Sequence, residues 1–494
     1  MRPKRKSPEV ELARRERVFR TVEALAPICV GILLGAVVVA SRVVRQDWLG
    51  LALLAAIAVA VLILVRDLRK LLLIVLIVDL PLGLDIVLAK RPDHIGGPSG
   101  LFVSLMTVAL AIGYVYLGSR VRGKDRFELY VHPSFALPAL AYLSAVAVSA
   151  FQATEVWFTI AQFFLEFQFL IMFFLVVNLI RNRADVRLVF TTVTVCLLLE
   201  SLLMFSQYYT GFEFSAFGLY TQAIASEVES AVARVSGTFG SPNLAATFLA
   251  AGLAITLAGY LSDGRLVHRG LALVSLLAGI VAMVMTQSRG GWIAVLVSLS
   301  LLLVLALRRQ IGTRAGLVVL VGIAILGIGF STAILERFVI EDTGSAVSRI
   351  YHSRLALNII RDHPFTGVGA NNQHYFVIDE SYRPPELAEA TPAAIHNTYL
   401  AVWVELGLFG FLALLWLILA GGWRSLSTYL RARDRYAAVA VAGLLAALVA
   451  YALQVLAEPF RPRRLQVFWL ILAFIAATCR IVEETDELEE PLVQ

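Results

Sequence analysis

Apolar residues run along this chain in long blocks separated by short polar gaps, without the alternation of a half-buried strand. A helix crossing the hydrocarbon of a bilayer needs about 20 predominantly apolar residues, and about fourteen stretches qualify. They lie near 22–41, 48–65, 71–88, 99–118, 134–151, 157–180, 186–206, 243–262, 267–286, 291–307, 314–333, 397–420, 436–456 and 465–479. The third is the most broken, because Asp79, Pro81 and Asp85 interrupt it. The pattern predicts an all-α fold, a polytopic transmembrane helix bundle of about 12–14 spans. The whole chain, 1–494, reads as one transmembrane domain.

Two connections are too long to be simple turns, 207–242 and 334–396. Loops of that length are usually functional or disordered. Within the second, Ser345 to Asp362 reads as a helix that stops at Pro364. It sets Arg354, Asn358 and Arg361 at i, i+4 and i+7, on one face, as a short helix lying over the membrane surface. The acidic stretch Glu483 to Glu490 makes 481–494 a solvated tail.

Only 16% of the residues are charged, against about 25% in soluble domains, so lipid takes the place of a single water-excluded core. The net charge of +6 does not point to nucleic acid. The basic residues are spread over the connections, and no soluble segment carries a basic patch with interleaved aromatics. Their distribution sets the orientation instead. With the N-terminus in the cytoplasm, the cytoplasmic connections hold about twice as many Lys and Arg as the outer ones. Both termini then lie inside, and both long connections are periplasmic loops of an inner-membrane protein. Residues 1–20 are basic, and the first apolar block lacks a small-residue cleavage site, so it reads as a spanning helix and not a signal peptide. Cys29, Cys196 and Cys479 sit in apolar blocks without metal or redox spacing and read as core residues.

No P-loop, H-E-x-x-H or cysteine cluster is present, so neither an ATP-driven engine nor a metal site is indicated. Gly367-Val-Gly369 lacks the third glycine of a dinucleotide fold and reads as a turn. What remains is a set of polar residues at the predicted outer interface. Arg234 precedes a span in a run ending at Asn243, and Arg289 lies in a short turn next to Gly290-Gly291. His396-Asn397 opens a span, and Arg461, Arg463 and Arg464 share another short turn. Arginine offers a planar fork of donors that suits phosphate oxygens. Helix N-termini add oriented N–H groups, and histidine accepts a proton near neutral pH. Together they fit a lipid-linked phosphate donor and a hydroxyl acceptor. The plain alternatives are headgroup anchors for the arginines and a helix cap for His396. Intramembrane Asp79, Asp85, Glu166, Glu200 and Glu405 are costly in lipid. As a proton path they would suit a transporter or flippase of lipid-linked sugar.

Four motifs, in this order, resemble the O-antigen ligase and polymerase superfamily. They are Arg-x-x-Gly-x-Phe-x-x-Pro-Asn at 234–243, Ser-Arg-Gly-Gly at 288–291, Arg354 to Gly369 ending His-Pro-Phe-Thr-Gly-Val-Gly, and His-Asn-x-x-Leu at 396–400 followed by Glu405-Leu-Gly407-Leu-Phe-Gly410. The resemblance implies a membrane glycosyltransferase of the C class with a large, partly helical periplasmic loop. Its donor would be an undecaprenyl-diphosphate-linked glycan. Its acceptor would be lipid A-core in a ligase or another lipid-linked glycan in a polymerase, with ligase slightly favoured. Membrane lipids would surround it, and no cofactor, metal or nucleic acid is expected. Arg234, Arg289 and Arg354 would bind the diphosphate and stabilise its growing charge, with Arg289 also catalytic. His396 would be the general base, and Asn243 and Asn397 would orient the site. Ligases of the family have about twelve spans, fewer than are counted here.

Overall fold

The computed structural model describes residues 67–83, 85–91, 94–121, 128–211, 214–216, 219–221, 234–311, 345–387, 393–459 and 462–488. The predicted spans 22–41, 48–65 and 314–333 lie outside the described residues, as do Cys29, Arg461 and residues 222–233 of the first long connection.

The helices are α1 Leu68–Leu82, α2 Leu105–Val121, α3 Pro133–Val148, α4 Val156–Leu179, α5 Arg183–Thr210, α6 Pro242–Leu261, α7 Arg269–Met285, α8 Arg289–Arg308, α9 Ser345–Asp362, α10 Gln373–Val377, α11 Thr398–Arg431, α12 Arg435–Gln454 and α13 Pro462–Leu488. Short 3-10 turns lie between helices, and the described strands form two small antiparallel pairs: β1 Asp85–Leu88 with β2 Leu101–Ser104, and β3 Phe214–Ala216 with β4 Leu219–Thr221. Eight helices among the described residues are long and apolar enough to cross a membrane: α3 with its following 3-10 turn, α4, α5, α6, α8, α11, α12 and α13. α2 and α7 are apolar but shorter. This is an all-α polytopic membrane protein, as the hydropathy blocks predict.

One block is resolved differently from its reading. The stretch 71–88 is not a single span: α1 ends at Leu82, one residue after its internal Pro81, with Gly83 in the left-handed conformation as its cap. Residues 85–88 then form β1. Glycine suits this left-handed position, and a Cβ there would displace the Arg463 guanidinium.

α13 runs through the centre, and its apolar window is entirely buried. It is apolar on every side, with Phe468 and Trp469 among the fully buried side chains, as a helix surrounded by other helices requires. α6 is nearly as enclosed and is rich in Ala and Gly. Gly443 of α12 lies so close to Ala258 of α6 that a side chain there would collide with it. Small residues let helix backbones approach where lipid supplies no hydrophobic drive for association.

The intramembrane acids are absorbed into this packing. Gln466 donates to Asp79 at 2.9 Å. Glu166 accepts from Gln162 at 3.0 Å, Tyr142 at 3.2 Å and Trp469 at 3.3 Å. Glu200 accepts from the Thr238 hydroxyl at 2.6 Å, and Gln373 donates to Glu405 at 2.7 Å. Hydrogen-bonded in this way, these acids join neighbouring elements.

Candidate functional site

The site is built where the N-termini of α6, α8 and α11 meet the C-terminus of α12. The turn between α7 and α8 is very short. Thr286 closes α7, Gln287 adopts a positive φ of 55°, and Ser288 caps α8 by accepting from Gly291 N at 3.3 Å. Arg289 is therefore the first residue of α8, half-buried at a helix N-terminus. Gly291 is needed for packing: a Cβ there would sit 2.8 Å from Ala246 of α6.

Arg234 is bound to this turn. Its Nε donates to the Thr286 carbonyl at 3.1 Å, and Val235 N donates to the Met285 carbonyl at 3.4 Å. Its Nη2 donates to Asn243 Oδ1 at 2.9 Å. Two guanidinium N–H groups are thus spent on aiming a side chain that is only 7% exposed. These contacts join Arg234 to Asn243 and tie both to the turn that precedes Arg289, at the starts of α6 and α8.

Gln454 at the end of α12 extends the connection. Its Nε2 donates to the Asn243 carbonyl and to Ser288 Oγ, each at 3.5 Å. The 3-10 turn Val455–Ala457 leads to Glu458, whose carbonyl accepts from the Thr398 hydroxyl at 2.9 Å. Thr398 is the first residue of α11, Asn397 is its cap and accepts from Leu400 N at 3.1 Å, and half-buried His396 stands just before it. Glu458 is buried, and its carboxylate lies 3.2 Å from Arg464 and 3.5 Å from Arg349 of α9. Arg464 is itself buried, bonded also to the Pro459 carbonyl and to Thr247. Arg463 donates to the carbonyls of Thr238 at 3.1 Å and Gly83 at 2.7 Å and pairs with Asp85 at 3.5 Å. Burial pushes the Asp85 carboxyl up, and Arg463 acts against it. Both arginines of this turn are therefore built into the protein, which a headgroup anchor would not be.

Arg354 is placed apart from this group. It is exposed on α9 and pairs with Glu386 at 3.2 Å. Its face of α9 points away from the buried face, which carries His352, Leu355, Ala356 and Ile359. His352 was not picked out by sequence reasoning. It is 6% exposed, and its ring centroid lies 5.1 Å from that of His396. The signal for it was Arg349 and His352 at i and i+3 on the face opposite Arg354. Gln454 and Glu458 were missed too, although an acid beside the Arg463-Arg464 pair was visible in the sequence.

α11 is broken at Gly407, with φ 67° and ψ −170°. The loop after α9 fills the break. Leu408 N donates to the Pro364 carbonyl at 3.0 Å, Val368 N to Val404 O at 2.9 Å and Gly369 N to Glu405 O at 3.0 Å. The motif around His363-Pro364 and the motif around Glu405-Gly407 are thus one structure. A side chain on either Gly367 or Gly407 would run into the opposite backbone. This lock fixes α9, and with it His352, against the start of α11.

Among the described residues no cluster of three or more His, Cys, Asp or Glu is positioned for a metal ion. Arg234 and Arg289, at the starts of α6 and α8, carry forks of donors of the kind that suits phosphate oxygens.

Residues 245–415 match the family described as O-antigen ligase. The match runs from the start of α6 into α11 and takes in Arg289, α9 and His396. No curated protein matches the chain.

Proposed function

We propose, from the O-antigen ligase domain at residues 245–415, that the protein transfers a glycan from an undecaprenyl-diphosphate carrier to a sugar hydroxyl at the outer face of the inner membrane. Lipid A-core is the favoured acceptor. Polymerisation onto a second lipid-linked glycan is the alternative within the same family. What supports the reading is the joining of Arg234, Asn243 and the Arg289 turn, through Gln454 and Glu458, to the helix start that carries His396.

In the reaction, the diphosphate leaves as the acceptor oxygen attacks the sugar. Negative charge grows on the leaving oxygen, and preorganised donors stabilise it without reorganising. Arg234 has its fork aimed by Thr286 and Asn243, and Arg289 adds a second fork at a helix N-terminus. His396 takes the hydroxyl proton. Arg354 stands on the exposed face of α9, so in this reading it meets the glycan or the membrane surface beside the diphosphate site. The arginines supply the positive charge that a metal supplies elsewhere.

The test is purified protein with a lipid-linked oligosaccharide, with and without lipid A-core. Transfer to core identifies a ligase, and chain growth on the carrier a polymerase. Movement of the lipid-linked glycan across a bilayer with no new glycosidic bond would overturn the transferase reading in favour of a flippase.

A further inference from the structure

We propose that an arginine-lined cavity at the end of the bundle opposite His396 is a binding site for a phosphate-bearing anion. It is separate from the candidate donor site. α12 begins at the cavity with Arg435 and ends beside Asn243 and Ser288 with Gln454, and its 20 residues span about 30 Å. The inference therefore stands without the transfer reading.

The cavity, about 470 Å³, lies where the α6–α7 turn, the residues after α8 and the α11–α12 turn meet. Arg265 and Arg269 line it from the first turn, and Arg433 and Arg435 from the last. Its two acids, Asp263 and Asp434, are already engaged. Asp263 lies 2.8 Å from Arg269. Asp434 lies 3.3 Å from Arg183 of α5 and accepts from Tyr436 N at 2.9 Å. Arg265 sits over the Tyr436 ring, 3.8 Å from its centre, and a cation held by a ring face spends no N–H donor on it. Among the described residues neither Arg265 nor Arg435 has a carboxylate partner. Four arginines against two aspartates leave a surplus of two positive charges. A phosphate monoester carries about −1.5 to −2 at neutral pH.

The walls are tied together by other residues. Arg309 donates to the Ala432 carbonyl at 3.0 Å, joining the end of α8 to the end of α11. Arg187 of α5 donates to the Arg265 carbonyl at 2.6 Å. Donors on fixed walls bind with a smaller ordering cost. The starts of α7 and α12, at Arg269 and Arg435, add helix dipoles of the same sign. Holding a connection on one side of a membrane needs only its charge. It does not need arginines of two connections around one cavity. Leu261 and Ile311 give the wall an apolar part as well. A free phosphate compound and an anionic phospholipid headgroup share this chemistry, and basic pockets between membrane helices suit such headgroups.

The experiment titrates full-length protein in a neutral detergent with three probes: inorganic diphosphate, dioctanoyl phosphatidate, and dioctanoyl phosphatidylcholine, whose headgroup has no net charge. Native mass spectrometry counts the bound molecules and gives their affinities for wild type, Arg265→Gln/Arg435→Gln and Arg289→Gln. An anion in the cavity should be weakened about tenfold or more in the double variant and persist in Arg289→Gln. An anion at the candidate donor site should show the opposite pattern. Phosphatidate bound without diphosphate makes the ligand a lipid headgroup, and diphosphate bound makes it a phosphate reached from water. Either result, lost in the double variant, supports the site. Arg265→Lys/Arg435→Lys keeps the charge but loses the forks. It should bind more weakly than wild type, and it takes the place of the glutamine variant if thermal unfolding shows that one to be misfolded. No bound anion, equal binding of phosphatidylcholine, or anion affinity unchanged by the paired substitutions would overturn the proposal.

Discussion

At the level of single residues, the proposed donor-binding side chains differ in how the protein holds them. Arg289 is the sharpest case. It is the first residue of α8 beside Gly290 and Gly291, and helix N-termini favour anions. A lysine there keeps the charge but loses the bidentate fork. Arg289→Lys should therefore be strongly impaired in transfer, and Arg289→Ala at least as badly. Near-normal transfer by the lysine variant at normal expression would return Arg289 to a headgroup role. Arg234 should behave differently, because its fork is held by Asn243. Asn243→Ala should mimic a partial loss of Arg234, raising donor KM while leaving the fold intact, and unchanged donor affinity would disconnect the two. Arg464 is the contrast. Removing it leaves the buried Glu458 carboxylate only its longer pair with Arg349 at 3.5 Å, and breaking a buried pair costs about 3–5 kcal/mol. Arg464→Ala should thus fail to accumulate folded, which expression and thermal unfolding would reveal.

Secondary elements were legible in the sequence to the extent that their signal is local. The spans over α4, α5, α6, α8 and α12 could be read because lipid demands an uninterrupted apolar run, and the cap residues Asn397 and Ser288 stand where α11 and α8 begin. β1 could not be read, since Asp85-Ile-Val-Leu88 is as apolar as the helix before it and its strand form depends on pairing with residues 101–104. His352, Gln454 and Glu458 were hidden for the same reason, because only tertiary contact gives them a role. The break in α11 lies between these cases: both motifs were visible, but not that each one's glycine exists for the other's backbone. Gly407→Ala should test that. At φ 67° and ψ −170° the backbone lies in a region that essentially only glycine occupies, at a cost of about 1–3 kcal/mol for another residue, and here the new Cβ also collides with the Phe365 carbonyl. Gly422→Ala in the same helix meets nothing within 4 Å and should be neutral or stabilise by up to about 1 kcal/mol. Equal thermal stability of the two variants would mean that the lock between α9 and α11 carries no load.

For the whole molecule, the two ends of the bundle differ in charge in a way that fixes a prediction about the membrane. The end opposite the site gathers Arg183 with Asp434, Arg265 stacked on Tyr436, Arg269 with Asp263, and Arg309 bound to the carbonyls at the end of α11. Arg424 pairs with Glu483 near that end, and Arg433 N donates to Asp486. Arginines in short connections are retained on the cytoplasmic side, and on that ground we propose that this end lies inside and the end with α9 and His396 outside. The described cysteines Cys196 and Cys479 are buried, which leaves the surface open to introduced thiols. Glu380, exposed beyond α10, and Asp263, exposed in the turn after α6, mark the two ends. In intact spheroplasts a membrane-impermeant maleimide should label Glu380→Cys, and Asp263→Cys should react only after lysis. The reverse pattern would put His396 and the arginines in the cytoplasm, away from any carrier presented at the outer face. That result would discard the proposed donor while leaving the geometry of the site unchanged.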